Sequence, residues 1–327
     1  MSQALGLAFI VAAVSVARPG GVVDATAAAD SSAARTARSA SVTETSPQRL
    51  SPVAVYGLSG GVSLGEPIAV AVDQSGEAVV ADGAPGRLIA FGAGGEKTLE
   101  FERPAAPGFH PTDLVRYGFF VYAIDDTERD LLRFDNQGAY RDVLLDFDQL
   151  DGMRRVSPYG MAIDAQGRLA ITDVENHQVL LVTTYLTLDA AFGNYGAYPG
   201  QLDTPAGVAF DERGDIVVAD SGNRRIQVFS DSGQLRLVVP VAGEKNPLRG
   251  PRRVTVGPEG SFFVADPEAG RVFVFTRDGR IERELVPAGP EGRPEGRFQP
   301  TDLEILRDGR LFVTDAGARA LYVFEVK

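Results

Sequence analysis

Residues 205–229 read PAGVAFDERGDIVVADSGNRRIQVF. Val208 and Phe210 recur at the period of a strand. Asp211-Glu212-Arg213-Gly214 is a short polar run ending in glycine, which is hairpin-turn chemistry. A second strand follows and ends in Val218-Ala219-Asp220. A polar loop then leads to a third strand, Arg225-Ile226-Gln227-Val228-Phe229, and a further Gly turn to a fourth over Gln234–Val241. Four antiparallel strands joined by tight turns are expected.

The same sentence is repeated along the chain. Segments opening at Pro67, Pro111, Pro158, Pro205, Pro251 and Pro300 align, with spacings of 44, 47, 47, 46 and 49 residues. A second marker, the Asp closing each second strand, falls at Asp82, Asp125, Asp173, Asp220, Asp266 and Asp315 with nearly the same spacings. Six units of about 46 residues, each four strands long, predict a propeller of six blades. The sixth unit stops after a third strand, Leu321–Val326. The orphan stretch 52–58 (PVAVYGL) is expected to supply the missing outermost strand and so cover an open edge.

Composition agrees. The chain has 327 residues, 44% hydrophobic and 23% charged, with 37 Gly and 20 Pro for the turns. The absence of Cys excludes disulfides, thiol nucleophiles, Cys-held clusters and a lipid anchor on Cys. Two His leave little for zinc. The net charge of −12 disfavours nucleic acid and anionic membranes as partners. The acidity belongs to residues 51–327, because 1–50 carry four basic and three acidic groups.

Residues 4–17 (ALGLAFIVAAVSVA) form an uncharged run of signal-sequence length, too short to span a bilayer. Ser15-Val16-Ala17 and Ala25-Thr26-Ala27 are cleavage candidates, although MSQ supplies no basic residue ahead of the run. Hence 1–27 is read as a signal peptide with cleavage near 17 or 27. Residues 28–50, rich in Ala, Ser and Thr, are read as a disordered linker, and 51–327 as the propeller. A periplasmic or extracellular monomer without a transmembrane segment in its mature form is expected.

Pro205, Gly207, Val208, Ala209, Asp211, Gly214, Ile216, Val218, Ala219, Asp220, Asn223, Arg225 and the run Ile226–Phe229 resemble the NHL repeat. The resemblance extends over 51–327 with weaker matches elsewhere, weakest in units two and three. It implies an all-β, six-bladed propeller of four-stranded blades, with ligand contacts on the face built from the lead-in loops. Members of the family bind ligands from RNA to peptides, so fold alone does not name the ligand.

The six repeated Asp look structural, since a residue at one place in every blade serves the blade by capping turns. Arg87, Arg225 and Arg271 are their expected charge partners. Positions where blades differ are better functional candidates. Two residues after each Pro stand Ala69, Asp113, Gly160, Gly207, Arg253 and Asp302. There, Arg253 is expected either to close the channel by a salt bridge or to hold a polar ligand with Asp113, Asp302 and Glu304. His110 and His177 map to one face without a fixed ligand spacing. Arg154, Arg155, Tyr195, Tyr198 and Arg297 lie in lead-in loops and are the residue types that dominate protein interfaces.

These readings favour an exported, non-catalytic binding or scaffold module for a protein or other envelope ligand, with no cofactor. The alternative is a metal-dependent hydrolase or lyase acting on a small molecule. Oxygen ligands for calcium are plentiful, but no continuous calcium-loop motif occurs.

Overall fold

The structure is a computed structural model that describes residues 47–57, 62–102, 108–150, 155–288 and 298–326. The signal peptide, most of the linker, Leu58, Arg154 and Arg297 lie outside the described residues.

Six antiparallel sheets follow one another as the repeat requires. Their innermost strands are Pro67–Val72, Pro111–Tyr117, Pro158–Ile163, Pro205–Phe210, Arg253–Val256 and Pro300–Ile305. Numbered from these, blades one to five each run outward through four consecutive strands of their own. Blade six has three, ending at Ala320–Glu325, and its fourth is β2, Ala54–Tyr56, paired antiparallel with Tyr56 opposite Leu321. Tyr56 is 3% exposed, stacks on Phe91 and donates its hydroxyl proton to the Ala93 carbonyl at 3.0 Å. The ring is therefore closed by the N-terminal strand.

One element departs from the sequence reading. Gln48–Leu50, placed in the linker, forms strand β1, parallel to the outermost strand of blade five, Ile281–Pro287. The segment thus adds a fifth strand to blade five before completing blade six. Leu50 packs in the cleft between them against Leu285, Phe298 and Phe324. Three residues of polar-rich sequence carry too little pattern to announce a strand, and only the open sheet edge beside them selects one.

Alternate residues of each blade face its two neighbours. Ala69, Ala71, Val79 and Ala81 pack on blade two, whereas Val70, Val72, Ala78 and Val80 pack on blade six. The core is accordingly six apolar clusters, one between each adjacent pair of blades. Both faces of every sheet are buried, which is why the second strands read as near-continuous apolar runs rather than as alternation.

Candidate functional site

Lead-in loops and the loops between second and third strands form one face, called upper here. The six repeated Asp stand beneath it. Asp82 accepts the N–H groups of Gly65 and Glu66 at 2.8 and 2.7 Å. Asp220 does the same for Asp203, Asp266 for Arg249 and Asp315 for Gln299. Asp125 and Asp173 hold His110 and Ser157. Each Asp thus ties a lead-in loop to its blade. Arg87 and Arg225 pair with Asp82 and Asp220, as expected. Arg271 turns instead to Glu284 at 2.6 Å. Blade two has Asp130 at this place, facing Asp125. Burial first, then Asp146 and Asp125, push its carboxyl up to about 6.

The loop after blade three, 193–204, carries Tyr195 and Tyr198, 68% and 78% exposed. Its backbone is tightly held. Arg225 donates to the carbonyls of Ala197, Tyr198 and Gln201 at 2.9, 2.9 and 2.8 Å. Gln227, fully buried, accepts from Gly200 N–H at 2.9 Å and donates to Gln201 O at 2.7 Å and to Asp220. Asn223 donates to the Gly196 carbonyl. The His177 ring packs on Tyr195 at 4.8 Å, and its Nδ1 accepts the Thr204 N–H. The residues holding the loop lie in the repeat motif itself, where sequence reading assigned them to the blade and missed their role in aiming the tyrosines.

The charged residues two positions after proline behave differently. Arg253, Asp113 and Asp302 are 4%, 4% and 6% exposed, so they are not on the surface with the tyrosines. Arg253 crosses the channel from blade five and donates through Nη1 to Asp113 on blade two at 2.8 Å, and through Nη2 to the Thr112 carbonyl. Asp302, on the adjacent blade, stands farther off, 3.6 Å from Nε. Gly160 and Gly207 make room. A Cβ at Gly160 would lie 2.2 Å from the Ala206 carbonyl oxygen and 2.7 Å from Arg253 Nη1, and one at Gly207 2.8 Å from Arg253 Cα.

The carboxylates have a second duty. The inner edge of each blade presents unpaired N–H groups to the channel. Asp113 accepts from Met161 of blade three at 2.6 Å, Asp302 from Val70 of blade one at 2.8 Å, and Glu304 from Val72 at 2.6 Å. Burial pushes Asp113 up to about 7 and Glu304 up to about 8, and raises Asp302 as well.

Of the other expected residues, Arg155 is exposed on the upper face. His110 pairs with Asp126 at 3.0 Å, apart from His177. Among the described residues no group of three or more His, Asp or Glu is placed to hold a metal ion. No helix among them is long and apolar enough to cross a membrane.

Comparison with known proteins gives a match to the NHL repeat over residues 202–229. The Drosophila melanogaster protein brain tumor is 27% identical over 142 residues, 41% of this chain and 13% of that protein. The human E3 ubiquitin-protein ligase TRIM32 is 30% identical over 144 residues, 38% of this chain and 22% of that protein. The match therefore spans under a quarter of either relative. A catalytically inactive virginiamycin B lyase from Staphylococcus aureus with quinupristin superimposes with a TM-score of 0.63 at 13% identity, covering 84% of this chain and 99% of that one. At that identity the likeness is one of fold. From repeat, blade count and sequence match together, the chain is a six-bladed β-propeller that carries an NHL repeat at residues 202–229 and is similar in sequence to NHL-repeat proteins.

Proposed function

We propose that the chain is an exported, non-catalytic binding or scaffold module that takes a protein partner on its upper face, at Tyr195 and Tyr198. The observation that carries this reading is the loop 193–204. Two large aromatic side chains stand out in solvent on a backbone fixed by Arg225, Gln227 and Asn223. Aromatics displayed on a rigid loop bind with little ordering cost, which is the usual make-up of an interface hot spot. Arg155, on the lead-in loop before blade three, supplies a charged contact on the same face. Export rests on the uncharged run at 4–17 and its cleavage candidates. The channel carboxylates are engaged by Arg253 and by backbone amides, an arrangement that holds blades together.

A photo-crosslinking phenylalanine analogue at position 198, introduced in the source cells, tests the reading. The same analogue at Tyr185, 87% exposed in the turn between the third and fourth strands of blade three and so on the opposite face, is the control. A discrete protein adduct at 198 and none at 185 is expected. Equal labelling at both positions, or none at 198, sinks the assignment.

A further inference from the structure

The fourth residue after each repeated Asp lies in the loop between second and third strands, and its backbone is left-handed in all six blades. The residues there are Gly86, Arg129, His177, Arg224, Gly270 and Arg319, with φ of 61°, 59°, 53°, 55°, 66° and 55°. Glycine and arginine keep one charge state from roughly pH 5 to 8, the span in which histidine titrates. Blade three alone places a side chain there that changes charge near neutrality.

His177 stands against the tyrosine loop. Its ring packs on Tyr195 with centroids 4.8 Å apart, and its Nδ1 accepts the Thr204 N–H at 2.9 Å. A backbone N–H can only donate, so Nδ1 is the bare nitrogen of a neutral imidazole whose proton sits on Nε2. Thr204 ends the loop with φ 49°, a left-handed conformation that a β-branched residue adopts at a cost. The bond to His177 helps to hold it there.

Protonation removes that bond. An Nδ1–H would set a second donor against the Thr204 N–H, and an imidazolium has no acceptor left. A new partner stands close by, since Asp203 Oδ1 lies 3.5 Å from Nδ1. Asp203 is itself fixed, its N–H given to Asp220 and its carbonyl to the Gly222 N–H, so the ring is what moves. The neighbouring carboxylates of the blades are engaged. Asp173 accepts from Asn176 and Gln178, and Asp220 from Asn223, Arg225 and Gln227. Glu175, on the same loop as His177, is exposed, and Tyr195 contributes its ring.

We propose that His177 is a proton-operated latch on the tyrosine loop. Neutral, it pins Thr204 and backs Tyr195, and the upper face takes its partner. Protonated, it turns to Asp203, frees Thr204 and releases Tyr195, and the partner is held less well. The control of a partner rests on the upper-face reading, whereas the latch itself does not.

Two variants bracket the latch. His177→Asn keeps an acceptor at the place of Nδ1, tolerates positive φ and does not titrate. His177→Arg, the residue of three other blades, is charged throughout and offers no acceptor. Amide exchange of the full chain over 194–204, corrected for the intrinsic pH dependence of exchange, is read at pH 8 and pH 5. Thr204 protection in the wild type is expected to fall about tenfold on acidification, the scale of one hydrogen bond. His177→Asn should stay protected at both pH values, and His177→Arg should be open at both. The chain has two His, so nitrogen-15 labelling of histidine reads the tautomer directly, with a bare Nδ1 on His177 expected at pH 8. The latch is overturned by equal wild-type protection at the two pH values, by a wild-type response in His177→Asn, or by a protonated Nδ1 at pH 8. Crosslinking from position 198 in an extract of the source cells, at the same two pH values, tests the control of a partner. A yield that falls in the wild type and holds in His177→Asn supports it, and a yield unchanged while the loop opens overturns it. No adduct at either pH fails the upper-face reading, and exchange alone then decides the latch.

Discussion

Arg253 and Asp113, 140 residues apart in the chain, meet at 2.8 Å across the channel. The bond joins blade five to blade two, which share no sheet and no apolar cluster. It is buried, and its partners have no solvent to fall back on. Arg253→Met should therefore strand Asp113 and Asp302 without a counter-charge and lower stability by about 3–5 kcal/mol, the range for breaking a buried pair from one side. Adding Asp113→Asn should recover part of that loss. Urea denaturation at pH 7 measures both, and a loss below ~1 kcal/mol for Arg253→Met would show that the pair is dispensable.

Glu304 gives a pH signature. Burial raises its carboxyl from 4.5 to about 8, so the folded protein holds a proton that the unfolded chain has released. Between those values the folded state binds more protons than the unfolded one, and stability must fall as pH rises through the window. Glu304→Gln keeps an acceptor for Val72 and removes the titration. Relative to wild type, its stability should gain steadily from pH 5 to pH 8.5. Chemical denaturation at three pH values checks the trend, and parallel curves would exclude the raised carboxyl.

Asp130 occupies a place where Arg87 and Arg225 pair with the repeated Asp of their own blades. In blade two it sets a second carboxylate opposite Asp125, with Asp146 alongside. Asp130→Arg should turn repulsion into attraction and raise stability by about 1 kcal/mol at pH 8, the scale of a well-placed but partly exposed pair. The gain should shrink at pH 5, below the value of about 6 to which Asp130 is raised. Melting temperatures at the two pH values decide it.

Closure rests on β2 more than on β1. Tyr56 is almost fully buried between blades one and six, so Tyr56→Ala should cost about 3 kcal/mol, as for a large core aromatic. Leu50→Ala in the half-covered cleft should cost roughly 1 kcal/mol. Removing residues 1–51 should thus be milder than removing 1–57, which uncovers the whole edge of Ala320–Glu325. Equal melting of the two truncated chains would refute the ranking.

The tyrosine loop should depend on Gln227. Gln227→Leu leaves Gly200 N–H and Gln201 O without their partner, at a cost of about 1–3 kcal/mol. Amide exchange over 194–202 should quicken, and crosslinking from position 198 should weaken although both tyrosines remain. Unchanged exchange would mean that the loop is held without Gln227.

Repetition made the blades legible. Six copies of one pattern average out the ambiguity that any single strand carries, and the structural role of the repeated Asp follows because each copy meets the same turn. The missing strand of the last unit was legible for the same reason, since a count that falls one short demands a closing segment. β1 was not legible, because Gln48–Leu50 has no repeat and little apolar pattern. Nor was the fate of Arg271, whose partner Glu284 lies on the next strand rather than at the motif's Asp.

The sequence by itself determined the blade count, the order of strands, the closing strand and which positions vary between blades. All of these are local or periodic, and hydrogen bonding along neighbouring strands turns them directly into sheets. Only the tertiary structure decided that Arg253, Asp113 and Asp302 are sealed inside while Tyr195 and Tyr198 stand in solvent. All five stood in the sequence as candidate contacts, with closure of the channel by a salt bridge as the other reading of Arg253. They part company because ring closure brings the first residues of six distant strands to one axis, where side chains lose their water, and sends the lead-in loops outward, where they keep it. No spacing along the chain encodes that distance from the axis.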